Sequence, residues 1–146
     1  MNIFIVKTKE EKERALRIRR TVFVDEQNVP LDEELDEHED EAIHFLGELN
    51  GKAIAASRLR WVDGYGKLER ICVLKNERGN GYGKQLIQAM EREIVKNGGQ
   101  KAKLNAQKHA EKFYKQLGYQ TVSDEFMDAG IPHVTMVKHL ETDLTA

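Results

Sequence analysis

The stretch Arg78-Gly79-Asn80-Gly81-Tyr82-Gly83-Lys84 decides the fold of this 146-residue chain. It follows a strand-like apolar run, 67–74, and precedes apolar residues at helical spacing, 86–95. Glycines at such a turn permit strained backbone dihedrals and remove side chains that would keep an anion away from the amides. A helix that begins at about Tyr82 adds unpaired amides and the positive end of its dipole. With Arg78 and Lys84 as flanking cations, the turn is predicted to bind a pyrophosphate.

Two other glycine motifs do not fit this turn. A Walker A loop requires a glycine five positions before its Gly-Lys pair, but Arg78 stands there ahead of Gly83-Lys84. A dinucleotide fingerprint requires a glycine three positions after Gly81, and that residue is Lys84. A ligand-free strand-to-helix turn is the remaining alternative, although three alternating glycines with flanking cations exceed what a tight turn requires.

Hydrophobic periodicity in the rest of the chain predicts one mixed α/β domain, residues 1–140, followed by a short tail, 141–146. Strands are expected at 2–6, 43–49, 52–62, 67–74, 101–106, 119–122 and 133–139. Helices are expected at 9–27, from 82 to about 97, and at 110–117, and a loop at 28–42. These elements predict a largely antiparallel sheet flanked by helices, with one parallel crossover from strand 67–74 through the helix to strand 101–106.

Composition excludes several classes of protein. A net charge of −2 gives no basic field for nucleic acid, and the apolar runs are too short for a membrane span. The N-terminus has no signal-peptide pattern. The single cysteine, Cys72, excludes an intrachain disulfide and is interpreted as a small core residue. A cytoplasmic protein that binds neither nucleic acid nor membrane is therefore expected, as a monomer or a homodimer.

Several strings resemble one known superfamily. Arg78-x-x-Gly81-x-Gly83 resembles the R/Q-x-x-G-x-G/A signature of the GNAT acyl-CoA N-acyltransferases, and 113–119 (FYKQLGY) resembles their F-Y-x-x-L-G-F segment. The strings at 20–27 (RTVFVDEQ), 104–107 (LNAQ) and 130–136 (GIPHVTM) are similar to the ElaA/YjcF-type subgroup of small bacterial members. The resemblance covers residues 1 to about 140. It implies a single-domain GNAT fold, in which the two parallel strands splay apart, and acetyl-CoA as cosubstrate.

The resemblance also implies where acetyl-CoA binds. The pantetheine arm is expected between the splayed strands, against the backbone of Ile71, Cys72 and Val73, where an N–H group could stabilise the oxyanion. The pyrophosphate is expected at residues 78–84. Many GNAT members have an asparagine seven residues before the conserved tyrosine, where this chain has Gln107. Gln107 is therefore a candidate contact of the arm, and Asn105 on the same strand could substitute for it.

Two residues are candidates for catalysis. Tyr114 matches the tyrosine that donates a proton to the departing CoA thiolate in many GNAT enzymes. Because a phenol titrates near ~10 and a thiol near ~8.5, a hydrogen bond to the sulfur is an alternative to full transfer. A core aromatic is the other interpretation. Glu69 is the candidate base, two residues before Ile71 and so expected on its face; the alternative is a strand charge paired with Arg70 or Lys67.

An acidic stretch lies between Arg20 and Lys52, an interval without any Lys or Arg. Its acids as far as residue 41 are Asp25, Glu26, Asp32, Glu33, Glu34, Asp36, Glu37, Glu39, Asp40 and Glu41. In GNAT folds this region borders the acceptor site, so a negative rim would favour cationic amines; a solvated acidic loop is the alternative. The order of an EF-hand is missing, and the five histidines show no metal-ligand spacing, so no metal is expected. His133, in the string 130–136, is interpreted as a packed or hydrogen-bonded strand residue, with a place near the acceptor pocket as the alternative.

The sequence thus predicts an acetyl-CoA-dependent N-acetyltransferase that acts on a primary amine of a small molecule or peptide by direct attack on the thioester. A non-catalytic acyl-CoA-binding regulatory module would keep the glycine turn but lack turnover, and an oligomeric interaction protein is a third possibility. Free-thiol release in the presence of an amine separates the first from the others.

Overall fold

Eight strands and four α-helices follow one another in the computed structural model, which describes residues 1–140. The strands are β1 (Asn2–Ile5), β2 (Ile43–Leu49), β3 (Lys52–Val62), β4 (Tyr65–Val73), β5 (Lys101–Gln107), β6 (Gln120–Thr121), β7 (Phe126–Asp128) and β8 (Ile131–His139). The α-helices are α1 (Lys9–Arg19), α2 (Leu31–Glu34), α3 (Tyr82–Lys96) and α4 (Glu111–Gln116). A π-helical segment, Arg20–Glu26, continues α1. The expected tail, 141–146, lies outside the described residues.

The strands form one mixed sheet in the order β1-β2-β3-β4-β5-β8-β6, with β7 paired to β8. The β4–β5 pair is parallel, and the other pairs are antiparallel. Helix α3 makes the crossover between β4 and β5. The predicted fold class, a largely antiparallel sheet with one parallel pair and flanking helices, is confirmed.

Helices cover both faces of the sheet. On one face, α3 buries Leu86, Ile87, Met90 and Ile94, which recur at helical spacing and are at most 1% exposed. On the other face, α1 and its π-helical continuation bury three apolar residues, Ala15, Ile18 and Val22. Successive residues of the strands alternate between these two clusters, as pleated strands require.

The C-terminal part of α3 packs closely against the start of β4. A Cβ added to Gly66 of β4 would lie 2.4 Å from Ile94 Cδ1, closer than any side chain tolerates, so glycine is needed there. Gly81, with φ 80°, is the N-cap of α3, and Asn97 and Gly98 end the helix. The glycine turn lies at the other end of α3, between the end of β4 and Tyr82.

Three local predictions were wrong. The first helix does not run as an α-helix to Gln27, because from Arg20 its hydrogen bonds widen to the π pattern, as in Gln27 N to Val22 O at 3.1 Å. The expected loop, 28–42, contains α2, and β7 was not predicted. Both elements have at most four residues, which is too short for a periodic signal.

Candidate active site

Strands β4 and β5 are paired along only part of their length. Their parallel pairing joins Gly66–Leu68 to Ala102–Leu104 and stops there, although β4 continues to Val73 and β5 to Gln107. A cleft of about 670 Å³ opens between the two unpaired ends. One edge of each strand therefore offers unpaired backbone groups to a ligand.

A β-bulge in β4 begins where the pairing ends. Glu69 lies opposite Arg58 of β3 and Cys72 lies opposite Ala56, so two residues, Arg70 and Ile71, stand opposite one. Arg70 has φ 56°, which is rare for a residue with a side chain. The bulge bends β4 and so increases its divergence from β5.

The bulge also reverses which face of the sheet each side chain takes. Leu68 and Ile71 both pack with the α3-side cluster, although regular alternation would put residues three apart on opposite faces. Glu69, which follows Leu68, consequently lies on the α1 side. The prediction that Glu69 shares the face of Ile71 was wrong, because nothing in the sequence announces the bulge.

The backbone of β4 after the bulge alternates between β3 and the cleft. Leu74 N donates to Ile54 O, and the alternation of an antiparallel ladder then turns the backbone groups of Cys72 toward β3 and those of Val73 toward the cleft. The Cys72 thiol is 5% exposed, and burial raises its pKa to about 12. Val73 therefore has the backbone orientation that a contact with the pantetheine arm requires. Cys72 does not, because its backbone groups face β3 and its side chain is buried in the core.

The glycine turn offers open space at its amides. Gly79 and Gly81 have φ of 87° and 80°, and a Cβ added at either would meet no atom within 4 Å. The first amides of α3 have no acceptor within the helix, as at every helix N-terminus. Tyr82, Gly83 and Lys84 line the cleft beside them. The turn therefore fits a diphosphate, by space, by donors and by dipole.

Two side chains of the turn are engaged within the protein. The Arg78 guanidinium donates to both carboxylate oxygens of Glu26, at 2.6 and 2.8 Å, and through Nε to Val73 O at 2.9 Å. Asn80 Nδ2 donates to Glu77 O at 3.0 Å, so this amide braces the turn. A carboxylate thus stands at Arg78, where sequence analysis placed a phosphate.

The expected amide contacts on β5 are also engaged. Gln107 donates through Nε2 to Gln27 Oε1 at 2.8 Å and accepts at Oε1 from His109 Nε2 at 2.7 Å. The Gln27 bond joins the end of the π-helical segment to β5. Asn105 Oδ1 accepts from Thr135 at 2.9 Å. Both side chains line the cleft, and a ligand would have to exchange with these partners.

Tyr114 lies on α4 at the wall of the cleft. Its ring meets those of Phe113 and Tyr119 edge to face, with centroids 5.1 and 5.9 Å apart. Burial raises the pKa of the Tyr114 phenol to about 12. The hydroxyl therefore stays protonated at neutral pH and can donate a hydrogen bond, but it gives up its proton less readily than a phenol in water.

Glu69 is surrounded by cations. Arg58 and Arg60 donate to its Oε1 at 2.9 and 2.7 Å, and Lys67 lies 3.2 Å from Oε2. Burial would raise the pKa of Glu69, but the hydrogen bond from Arg60 and the charges of Arg58 and Lys67 outweigh it and lower the pKa to about 2. A carboxylate with that pKa has little affinity for the proton of an ammonium group. The surroundings of Glu69 therefore support ion pairing. Lys67 was an anticipated partner, whereas the two arginines were not.

Three carboxylates of the acidic stretch pair with buried arginines, and its other seven acids between residues 25 and 41 are exposed. Arg19, fully buried, is paired with Glu34 at 2.7 Å and with Glu39 at 2.8 Å, and Arg58 with Asp36 at 2.7 Å. Several of its carboxylates thus neutralise buried arginines beneath the segment. The sequence could not reveal this, because the partner cations lie far away along the chain.

His133, expected to be a packed or hydrogen-bonded strand residue with a place near the acceptor pocket as the alternative, is a cleft residue. It lies on β8 opposite Gln107, is 9% exposed, and lines the cleft. Its Nδ1 is 2.6 Å from Ile131 O. The signal in the sequence was its place in the string 130–136, which carried the resemblance but no chemistry.

None of the helices within residues 1–140 combines the length and apolar character that a membrane crossing requires. In the same part of the chain, no three His, Cys, Asp or Glu side chains are grouped as a metal ion would need.

Comparisons with known proteins agree with this geometry. The family model described as an acetyltransferase (GNAT) domain matches residues 7–140. YjcF of Bacillus subtilis (strain 168), named an uncharacterized N-acetyltransferase, is 47% identical over 139 residues, 94% of this chain and 99% of YjcF. The structure of Escherichia coli ElaA has a TM-score of 0.81 at 24% identity, over 95% of this chain and 100% of ElaA. An aminoglycoside 6′-N-acetyltransferase complexed with coenzyme A has a TM-score of 0.78 at 18% identity, over 95% and 97%. At those identities the two structures show a shared fold.

Proposed function

Because this chain belongs to the GNAT family of acetyltransferases, of the ElaA/YjcF type, and is an acyltransferase, we propose that it transfers the acetyl group of acetyl-CoA to a primary amine. The amine belongs to a small molecule or peptide and attacks the thioester directly. The observation that carries the proposal is the parting of β4 and β5 after Leu68 and Leu104, beside an open glycine turn.

Different residues of the cleft bind different parts of acetyl-CoA. The amides of 79–84 and the Lys84 ammonium hold the pyrophosphate, for which Arg78 must leave Glu26. The outward-facing backbone of Val73 holds the arm in the manner of an added strand. An N–H group at this edge stabilises the charge that develops on the thioester oxygen, because it is fixed in place before the reaction.

Tyr114 acts on the leaving group, and the carboxylates at the cleft bear on the class of acceptor. The Tyr114 hydroxyl donates a hydrogen bond to the departing sulfur, since its raised pKa disfavours full proton transfer. Cationic amines remain the acceptor class of this proposal. This part of the proposal rests on only two exposed carboxylates at the cleft, those of Glu33 and Asp128, rather than on the whole acidic stretch.

Thiol release tests the function. Acetyl-CoA is mixed with spermidine, tobramycin or a lysine-containing peptide, free thiol is followed by absorbance, and the acetylated amine is identified by mass spectrometry. We expect thiol release that depends on the amine. Calorimetric binding of acetyl-CoA without amine-dependent thiol would favour the regulatory module instead, and absence of binding would refute both. Lys84→Met should weaken CoA binding, whereas Lys96→Met, at the far end of α3, is the matched control.

A further inference from the structure

His133 is held rigidly in the cleft by a hairpin. Ala129 and Gly130, with φ of 51° and 75°, form the two-residue turn between β7 and β8, as a type I′ turn requires. The hairpin sets Phe126 opposite His133, and the two rings stack with centroids 6.0 Å apart. On its other side His133 pairs with Gln107 at the parted end of β5.

The hydrogen bond of the ring fixes its tautomer. Ile131 O can only accept, so the His133 nitrogen beside it, Nδ1, carries the hydrogen and donates it at 2.6 Å. In the neutral ring the lone pair is therefore on Nε2, the nitrogen on the opposite edge. When Nε2 binds a proton, the Nδ1–H bond to the carbonyl persists and strengthens, because its donor is then cationic.

Glu69, Glu34 and His109 of the cleft each have an ion-pair or hydrogen-bond partner. Glu69 is paired with three cations. Glu34 Oε2 has no hydrogen-bond partner, but Glu34 is only 2% exposed and its Oε1 lies 2.7 Å from Arg19 Nε, so this carboxylate serves a buried arginine. His109 donates through Nε2 to Gln107, so the nitrogen at its cleft-side bond already carries a hydrogen. His109 Nδ1 also carries a lone pair, but His109 is exposed, whereas His133 is 9% exposed and is oriented by its bond to Ile131 O.

We infer that His133 is the general base of the acetyl transfer, an inference that rests on the proposed function. Nε2 removes one proton from the acceptor ammonium, and the neutral amine forms the N–C bond with the thioester carbon. The C–S bond then breaks, with its electron pair on sulfur. The nitrogen loses a second proton as it becomes an amide, and the sulfur gains one. The overall reaction releases one proton, which leaves His133 for solvent.

Charged groups near His133 shape any pH dependence. Those on elements packed against it or on its own strand are Asp128 of β7, Lys108 and His109 of the turn after β5, Lys101 and Lys103 of β5, and Lys138 and His139 of β8. Glu33, Glu34 and Glu69 line the same cleft. His109 is the second imidazole of the cleft and supplies the control.

The test measures kcat/KM from about pH 6 to 10 with the fastest of spermidine, tobramycin and the lysine peptide. His133→Gln should lose about 100-fold near pH 7. This loss should shrink above about pH 9, where the amine is increasingly neutral without help, while calorimetric CoA affinity stays within about twofold. His109→Gln should keep the acidic limb of the wild-type profile. A loss in His133→Gln that is constant across pH, or no loss, overturns the inference.

A second measurement needs no variant. The Cε1–H proton resonance of His133 in the wild-type protein is titrated by NMR and compared with the acidic limb of kcat/KM. Coincidence supports the assignment, and a limb that His133 does not follow overturns it. Failure of the proposed function is separate from either result, because the wild type would then release no amine-dependent thiol.

Discussion

Tyr114→Phe is the most informative single change for the mechanism. The variant removes the hydroxyl and keeps the ring contacts with Phe113 and Tyr119. A phenol with a pKa of about 12 is about 3.5 units above a thiol at ~8.5, so full proton transfer is uphill by roughly 5 kcal/mol. The group therefore acts through a hydrogen bond to the developing thiolate, which contributes about 1.5–3 kcal/mol. We expect the rate of acetyl transfer to fall about 10- to 100-fold.

The assay is a single-turnover measurement of thiol release with excess enzyme, which reports chemistry rather than product release. CoA affinity, measured by calorimetry, should be nearly unchanged. Tyr119→Phe is the matched control, since it removes a hydroxyl that donates to Glu91 at 2.7 Å outside the cleft. A Tyr114→Phe rate within about twofold of wild type would refute the role in leaving-group stabilisation. A loss far above 100-fold would show that full proton transfer occurs.

Two further predictions concern charged groups. Glu26→Gln should lower the Kd for CoA up to about fivefold by calorimetry, because it frees Arg78 from an exposed ion pair that contributes up to ~1 kcal/mol; unchanged or weaker binding contradicts this. Acid should destabilise the fold, because Glu39 and Glu69 have folded-state pKa values of about 2, below their ordinary 4.5. Their stabilisation is complete above about pH 4.5 and is lost as pH falls toward 2, by up to about 3 kcal/mol each. Urea unfolding from pH 6 to 2.5 measures it, and Glu69→Gln should flatten the slope; an equal slope in both proteins contradicts the assignment.

The part of the fold that periodicity encodes could be predicted. Helix α3 carries its apolar residues at helical spacing between Gly81 and Asn97, so both its face and its ends are local information. Strands β2 and β3 were predicted as two runs, 43–49 and 52–62, and the residues between them, Asn50-Gly51, are a local signal for a hairpin turn. The location of the cleft followed from the glycine turn and the family resemblance.

What could not be predicted depends on tertiary geometry, in most cases on partners distant in the chain. The bulge at Arg70 places two β4 residues opposite one β3 residue, and it decides on which face of the sheet Glu69 lies. The pairing of Arg78 with Glu26 spans 52 residues, so the turn alone gave no sign of it. The tautomer of His133 depends on a carbonyl two residues away, which only the hairpin geometry brings within reach.

The segment from Leu31 to Glu41 is attached to the sheet almost entirely by charge. Its two leucines are exposed, and its one buried residue is Glu34, which meets Arg19. A laboratory evolution experiment could therefore exchange this segment as a cassette, because no apolar core would have to be repacked with it. Each exchanged segment would have to keep carboxylates at the positions that pair with Arg19 and Arg58. Everything else in the cassette would be free to diversify, while the donor half of the molecule stayed the same.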